Sequence, residues 1–580
     1  MRLIKLIGTQ AVLASLANGL SLQNNCNKAY AKSVLPSDDV YPGITIDTSS
    51  VTASAFYKTS VSGDVMFPDA VFDYCNITFA YSHNGRDDQV LVTYWLPAPS
   101  KFKKRFLSTG GGGLAINSGQ GSLPGGIIYG AAAGLTDGGF GGFSNTFDTN
   151  FLLANDTINW QQVYMFGYQA IHEMTVLGKA LTKNFFGMTA KEKLYSYYQG
   201  CSEGGREGWS QAQRYTEFDG VIAGAPAFRY AHQQVNHLYS NIVEQTLGYY
   251  PPPCELSTIA NETIKACDPL DGKTDGVVSR TDLCKLHFDI NTLVGTTYNC
   301  AAVKASTGGM GPPSSAQPAQ KGTISANGVK VAAKILDGLR DLDGRRAYFS
   351  YQPAATFDDA QTKYDSTSGK WILNPSSLGG EWVERFLLLQ NASTLPTLDG
   401  VTYDTLTGWI ELGLQLYYDN LQTTNPDLTT FQAAGGKILH YHGESDSSIP
   451  TASSVRYRES VREIMYPGMS DDAANAALNK WYQLYLVPGA GHCGPNTLQP
   501  NGPFPQTNLA VMIDWVENGN TPTTLNATVL LGSNKGKNGQ ICAWPSRPLW
   551  NKSGKMECVS DEASIKTWQY DLDAFKLPIY

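Results

Sequence analysis

At 580 residues the chain is long enough for one large domain carrying a sizeable insertion, or for two or three smaller domains. Hydrophobic residues make up 42% and charged residues 16%, a globular composition, and no internal apolar run is long enough to cross a membrane. The formal charge of −8 argues against a nucleic-acid partner, because phosphate binding needs a basic face.

The chain opens on Met1-Arg2-Leu3-Ile4-Lys5, followed by an apolar stretch to about Leu20 with small residues at Ala17 and Gly19. That pattern predicts a secretory signal peptide over residues 1–19, and so a secreted, extracellular protein. The even number of cysteines, 10, predicts disulfides in an oxidising compartment. Asn-x-Ser/Thr sequons at Asn76, Asn155, Asn261, Asn391, Asn526 and Asn551 predict glycosylated surface.

Alternating apolar runs at residues 71–78 and 90–94 read as strands that begin a sheet. A third strand, 105–108, ends in Gly110-Gly111-Gly112-Gly113. Such a run is either a flexible loop or a loop with bare backbone N–H groups, in which case Gly111 or Gly112 supplies an oxyanion donor. Helical periodicity runs from 159 to 186, with Val163, Phe166, Ile171, Met174 and Leu181 on one side. It leads into a buried strand at 194–198 and then Gly200-Cys201-Ser202-Glu203-Gly204-Gly205, with a helix beginning at Arg206. A serine at G-x-S-x-G spacing between strand and helix is a nucleophile elbow. The turn tolerates only small neighbours, and the helix N-terminus favours developing negative charge. The backbone N–H of Glu203 is then one oxyanion donor.

Residues 220–225 read as the next strand. From 228 to 432 the pattern becomes loop-rich with patches of helix, and it contains a Gly/Ser/Pro/Gln-rich spacer at 304–327. This region is read as an inserted lid domain. The catalytic domain is then discontinuous, residues 20–227 and 433–580. The sheet pattern returns at 436–442, followed by the polar loop from Gly443 to Pro450 and a helix at 453–465. A last strand, 481–487, runs into Pro488-Gly489-Ala490-Gly491-His492-Cys493-Gly494, and a closing helix covers 509–516.

Three strand ends thus carry Ser202, Asp446 and His492, in the chain order of an α/β-hydrolase. Glu444 competes for the acid role; Asp446 is preferred because it lies further into the loop. His440 and His442 share a strand, are expected to face opposite sides, and read as structural. His172-Glu173 lacks the second histidine of a helical zinc motif and reads as a packed or surface pair. Cys201 adjoins Ser202 and Cys493 adjoins His492, so a formed triad brings these cysteines within disulfide reach, unless each pairs elsewhere. Cys267–Cys284 and Cys542–Cys558 follow from proximity, and Cys26–Cys75 and Cys254–Cys300 by elimination. The loop from Cys267 to Val277 holds Asp268, Asp271 and Asp275 among two glycines. It is either an Asp/Gly-rich turn or a calcium loop without EF-hand spacing.

The G-C-S-x-G-G elbow, the H-G-x-x-D-x-x-I-P loop at His442 to Pro450 and the G-H-C-G segment at Gly491 to Gly494 together resemble the tannase and feruloyl esterase family of fungal secreted esterases. The resemblance runs from about Cys26 to Tyr580 and is poorest in the spacer. It implies an α/β-hydrolase fold with a large inserted lid, a Ser202–Asp446–His492 triad and a Cys201–Cys493 disulfide. It also implies a structural calcium held by Asp268, Asp271 and Asp275 with backbone oxygens of Lys273 and Val277. Residues 249–256, 267–286 and 515–520 are most similar to the tannase branch. The implied substrate is a plant polyphenol ester, a gallotannin or alkyl gallate, cleaved at galloyl ester and depside bonds to release gallic acid. The alternative within the family is release of ferulic or related hydroxycinnamic acids from cell-wall polysaccharide. Homo-oligomerisation is left open.

Overall fold

The seven strands read from the sequence join two others, Ile44–Val61 and Ala131–Thr136, in one nine-stranded sheet in the computed structural model, which describes residues 21–305 and 316–580. The expected signal peptide and residues 306–315 of the spacer lie outside the described residues. The strands are β1 (Ile44–Val61), β2 (Ala70–His83), β3 (Val90–Pro97), β4 (Arg105–Thr109), β5 (Ala131–Thr136), β6 (Tyr195–Cys201), β7 (Gly220–Gly224), β8 (Lys437–Gly443) and β9 (Tyr482–Val487). Their order is β1-β2-β3-β5-β4-β6-β7-β8-β9. β1, β2, β3 and β5 pair antiparallel; every pair from β5 through β9 is parallel. Parallel strands must be covered on both faces, and the inner ones read as continuous apolar runs for that reason.

Two layers of core accordingly flank the sheet. Helices α1 (Ala170–Phe185), α2 (Glu203–Arg214) and α3 (Ala452–Met465) cover one face, where Tyr94, Phe106, Met174 and Trp209 are buried. Helix α4 (Asn508–Asn518) covers the other, with Tyr197, Ile222, Met512 and Trp515. Glycines let the helices approach: a Cβ on Gly208 would sit 2.7 Å from the Tyr198 ring, and one on Gly178 2.4 Å from that of Phe106. A single π turn, Met165–Gln169, precedes α1. Its loosened carbonyls, those of Phe166 and Gly167, accept from the Arg206 guanidinium at 2.9 and 2.8 Å. A mixed sheet with a strand–turn–helix nucleophile position at the end of β6 is the α/β-hydrolase fold anticipated from the elbow.

The chain leaves the sheet after Gly224 and returns at Lys437. The intervening residues are more helical than expected. They include helices Tyr230–Asn236, Tyr239–Leu247, Pro253–Cys267, Ala326–Asp337 and Tyr403–Tyr417. Ser325 caps one of these by accepting from Gly328 N–H, and Thr402 with Thr405 forms a capping box on another. Described parts of the spacer are paired too: Gln320–Thr323 lies against Thr297–Cys300, and Val303 against Gln317. After β9, two further hairpins pair Thr524–Val529 with Asn538–Cys542 and Arg547–Trp550 with Met556–Val559. All five expected disulfides are present: Cys26–Cys75, Cys201–Cys493, Cys254–Cys300, Cys267–Cys284 and Cys542–Cys558.

Candidate active site

Ser202 sits at the tip of the turn between β6 and α2 with φ 64°, a conformation that costs a non-glycine residue energy. The turn is held from all sides. Ser202 N–H donates to the Gly224 carbonyl at 3.0 Å, and the Ser202 carbonyl accepts from Arg206 and Ala227 N–H. A Cβ on Gly200 would lie 2.6 Å from the Gly204 carbonyl, and one on Gly205 2.4 Å from that of Gly224. Glycines therefore flank the serine because backbone occupies the space.

The loops after β8 and β9 are laced together. Glu444 N–H donates to Val487 O at 2.9 Å and Ser445 N–H to Ala490 O at 2.8 Å. This brings the three predicted side chains into one line. His492 Nε2 lies 2.9 Å from Ser202 Oγ, and its Nδ1 lies 2.8 Å from Asp446 Oδ2. Asp446 is fully buried, and its Oδ1 accepts the N–H groups of Ser448 and Ile449 at 2.8 and 2.9 Å. Burial alone would raise the Asp446 pKa; the charge of His492 and hydrogen bonds from His442 and His492 outweigh it and hold the carboxyl well below its usual range. Burial would lower His492, but the Asp446 charge and hydrogen bond prevail and the net shift is upward. The Cys201–Cys493 disulfide, Cα–Cα 6.0 Å, ties the residue before the serine to the residue after the histidine.

Glu444, the rival acid, points away. It accepts from Arg547 at 2.7 Å through both oxygens and from Thr281 Oγ1 at 2.7 Å. The expectation for His440 and His442 is corrected as well. Residues two apart on a strand share a face, and both imidazoles reach Ser454 Oγ, at 2.8 and 2.6 Å.

Glu203 opens α2, so its N–H has no partner within the helix and points out of the N-terminus beside Ser202. The second oxyanion donor is not where the sequence put it. Gly111 N–H donates to Glu207 Oε2 at 3.0 Å and Gly112 N–H to Ala115 O at 3.1 Å, so neither is bare. The first two glycines of the run serve packing instead. A Cβ on Gly110 would lie 1.9 Å from Tyr198 Oη, and one on Gly111 1.8 Å from Ala115 O. The loop is also bound to the elbow, since Gly204 N–H donates to the Gly111 carbonyl at 3.0 Å. Beneath it lies a buried group that the sequence reading missed. Glu203 pairs with Arg206, and Glu207, raised by burial and by the charge of Glu203, also meets Tyr198 Oη at 3.0 Å.

Asp358, from the inserted segment, was missed too. Ser447 Oγ donates to its Oδ2 at 2.6 Å, one residue past Asp446, and its charge adds to the upward shift of His492. No local motif marks it.

In the Asp/Gly loop, Asp268 spends both oxygens on the N–H groups of Asp275, Gly276 and Val277. Among the described residues the three aspartates therefore do not form a ready carboxylate cage. Yet Asp271 Oδ2 and Asp275 Oδ1 are buried without a hydrogen-bond partner, and burial pushes Asp271 up to about 6. Lys273 Nζ reaches only the other oxygen of Asp275, at 2.6 Å. Two orphaned carboxylate oxygens suit a hard cation that completes its shell from backbone oxygens and water. Of the sequon asparagines, Asn155, Asn391, Asn526 and Asn551 are exposed, whereas Asn76 and Asn261 are half-buried.

The family model described as "Tannase and feruloyl esterase" matches residues 75–565. The chain belongs to the tannase and feruloyl esterase family. It is 50% identical to a tannase of Aspergillus oryzae over 98% of both chains. To a probable feruloyl esterase of Arthroderma benhamiae it is 30% identical, over 86% of this chain and 88% of the relative. Among solved structures, a tannin acyl hydrolase from Aspergillus niger superposes with TM-score 0.94 at 59% identity, covering 97% of this chain and all of that one. The feruloyl esterase B of Aspergillus oryzae gives TM-score 0.69 at 27% identity, covering 93% of this chain and all of that one. Both branches of the family thus share the fold, and the tannase branch lies nearer.

Proposed function

We infer that the chain is a secreted serine esterase of the tannase type, cleaving galloyl esters and depsides of plant polyphenols to gallic acid. The observation that carries the chemistry is the unbroken line from Ser202 Oγ through His492 to Asp446. Support for gallate over ferulate is the 50% identity to a tannase against 30% to a probable feruloyl esterase.

On this reading, Ser202 Oγ attacks the ester carbonyl while His492 Nε2 takes its proton. The oxyanion that forms is met by Glu203 N–H. His492 then protonates the departing alcohol, leaving the acyl group on Ser202. Water enters, gives its proton to His492 and attacks the acyl carbonyl; the proton returns to Ser202 as the acid leaves. Asp446 keeps Nδ1 protonated and stabilises the imidazolium at each stage. Five disulfides support export. We also propose that the inserted segment forms the lid over this line, since Asp358 reaches the Asp446 loop. Calcium is proposed at Asp268, Asp271 and Asp275 with carbonyls of Lys273 and Val277. It would neutralise buried carboxylates and take no part in the reaction.

Ser202→Ala should lower hydrolysis of methyl gallate by about 10⁴-fold or more while leaving the thermal midpoint unchanged. Retained turnover in the folded variant would defeat the serine mechanism.

A further inference from the structure

We propose that His442 is a positioning residue for the Asp446–His492 pair, fed by a one-way hydrogen-bond chain running from Tyr482 through His440 and Ser454. The inference rests on the triad reading above and adds a second histidine to the same carboxylate.

Asp446 Oδ2 has two nitrogen partners, His492 Nδ1 at 2.8 Å and His442 Nε2 at 3.1 Å. His442 Nε2 also lies 3.0 Å from the Ile449 carbonyl. A carboxylate and a carbonyl only accept, so this nitrogen carries the proton. The other nitrogen, Nδ1, lies 2.6 Å from Ser454 Oγ, and the same hydroxyl lies 2.8 Å from His440 Nε2. One hydroxyl has one proton, so it donates to one imidazole and accepts from the other. Tyr482 Oη completes the chain, 3.0 Å from His440 Nδ1.

A single proton order keeps both imidazoles neutral. Tyr482 O–H donates to His440 Nδ1, His440 Nε2–H to Ser454, Ser454 O–H to His442 Nδ1, and His442 Nε2–H to Asp446. Burial away from water disfavours an added charge on this chain. Both histidines are fully buried, and His440 is driven well below the ordinary imidazole range by burial, with His442 and Arg458 adding. A second buried cation would compete with His492 for one carboxylate oxygen. With this order Asp446 receives four donors, two on each oxygen, and its carboxylate plane is fixed where the imidazolium of His492 needs it. The groups facing His442 are Asp446, His492 across that carboxylate and His440 across Ser454; Tyr482 on β9 and Arg458 on α3 lie against His440, and Tyr348, Tyr351 and Asp358 lie on the Asp446–His492 side.

The test replaces His442 with Phe, which keeps a ring and loses the donor, and with Gln, whose amide can restore a donor near the Nε2 position. For His442→Phe we expect kcat on methyl gallate to fall about 10- to 100-fold with KM within about twofold. The acid limb of kcat/KM should move to higher pH, because a carboxylate with one donor fewer holds the imidazolium proton more tightly. His442→Gln should recover kcat to within about threefold of the parent and return the limb to its place. If His442→Phe does not fold, Ser454→Ala, which leaves His442 present but loose, should show a smaller loss of kcat with the same split. The proposal is overturned if folded His442→Phe keeps kcat within twofold, if Gln recovers nothing, or if Ser454→Ala is kinetically silent. Ser202→Ala run in parallel separates the readings: its inactivity with a silent His442 variant sinks only the positioning role.

Discussion

Cys201 carries two duties that follow from its place beside Ser202. Its backbone closes the elbow, and its sulfur reaches Cys493 across 292 residues of chain. Closing so long a loop contributes roughly 2–4 kcal/mol by limiting the unfolded state. The local effect is more specific, because the bond joins the two turns that must hold Ser202 Oγ and His492 Nε2 at 2.9 Å. Misplacing such a pair by an ångström costs about 10²-fold. Replacing both cysteines with serine should therefore lower kcat by about 10²-fold while the folded state survives at 25 °C. Circular dichroism alongside the esterase assay checks this, and full activity in the double variant would remove the clamp. At this scale the sequence was most legible. Serine, acid and histidine each sit in a short motif whose spacing reports its role. Glu207 and Asp358 were not legible, because each acts through a partner supplied by another segment; His442 lies only four residues before Asp446, but spacing alone does not show that its imidazole turns to that carboxylate. The glycine run misled for a related reason: sequence shows that N–H groups lack a covering side chain, but not that Glu207 and Ala115 take them.

The elements divide similarly. Strands buried on both faces, such as β6, β7 and β9, read as apolar runs and were found nearly at their ends. β1 was missed because most of its 18 residues face water, so no alternation stands out. β5, Ala131–Thr136, is nearly all small residues, which carry little strand propensity. Helix α2 holds the least legible element-level chemistry. Glu207 is fully buried on it and raised well above the usual carboxyl range, by burial first and by the Glu203 charge second. A raised folded-state pKa means that the fold binds a proton that the unfolded chain releases near 4.5. Stability from this group is thus complete below pH 4.5 and declines as pH rises through the folded value. Glu207→Gln mimics the protonated acid permanently. Its thermal midpoint should match the parent at low pH and exceed it increasingly towards pH 8. A gap that narrows with rising pH would contradict the protonated assignment.

At the scale of the whole molecule, the inserted segment is fastened to the catalytic loops by buried polar chemistry. Arg547 bridges Glu444 and Asp282, Arg280 joins Asp282 to Asp561, and Thr281 donates to Glu444. Beside this network, Val278 N–H donates to Gln499 Oε1 at 2.8 Å and Gln499 Nε2 to Ser445 Oγ at 2.7 Å. The Asp/Gly loop is therefore two hydrogen bonds from the residue preceding Asp446. If that loop holds calcium, chelation should lower both the thermal midpoint and kcat, and Gln499→Ala should uncouple them, leaving the midpoint sensitive and kcat much less so. Calcium-independent melting would remove the metal from the account. The aspartate spacing and the cysteine pairs made this region visible in sequence; its docking surface, assembled from residues some 200 positions apart, was not.

This hydrolase line serves galloyl esters. The most direct measurement is kcat/KM for methyl gallate against methyl ferulate on the purified, folded chain under one set of conditions. Gallate should turn over faster; a ratio favouring ferulate would place the chain's specificity with the feruloyl esterases instead.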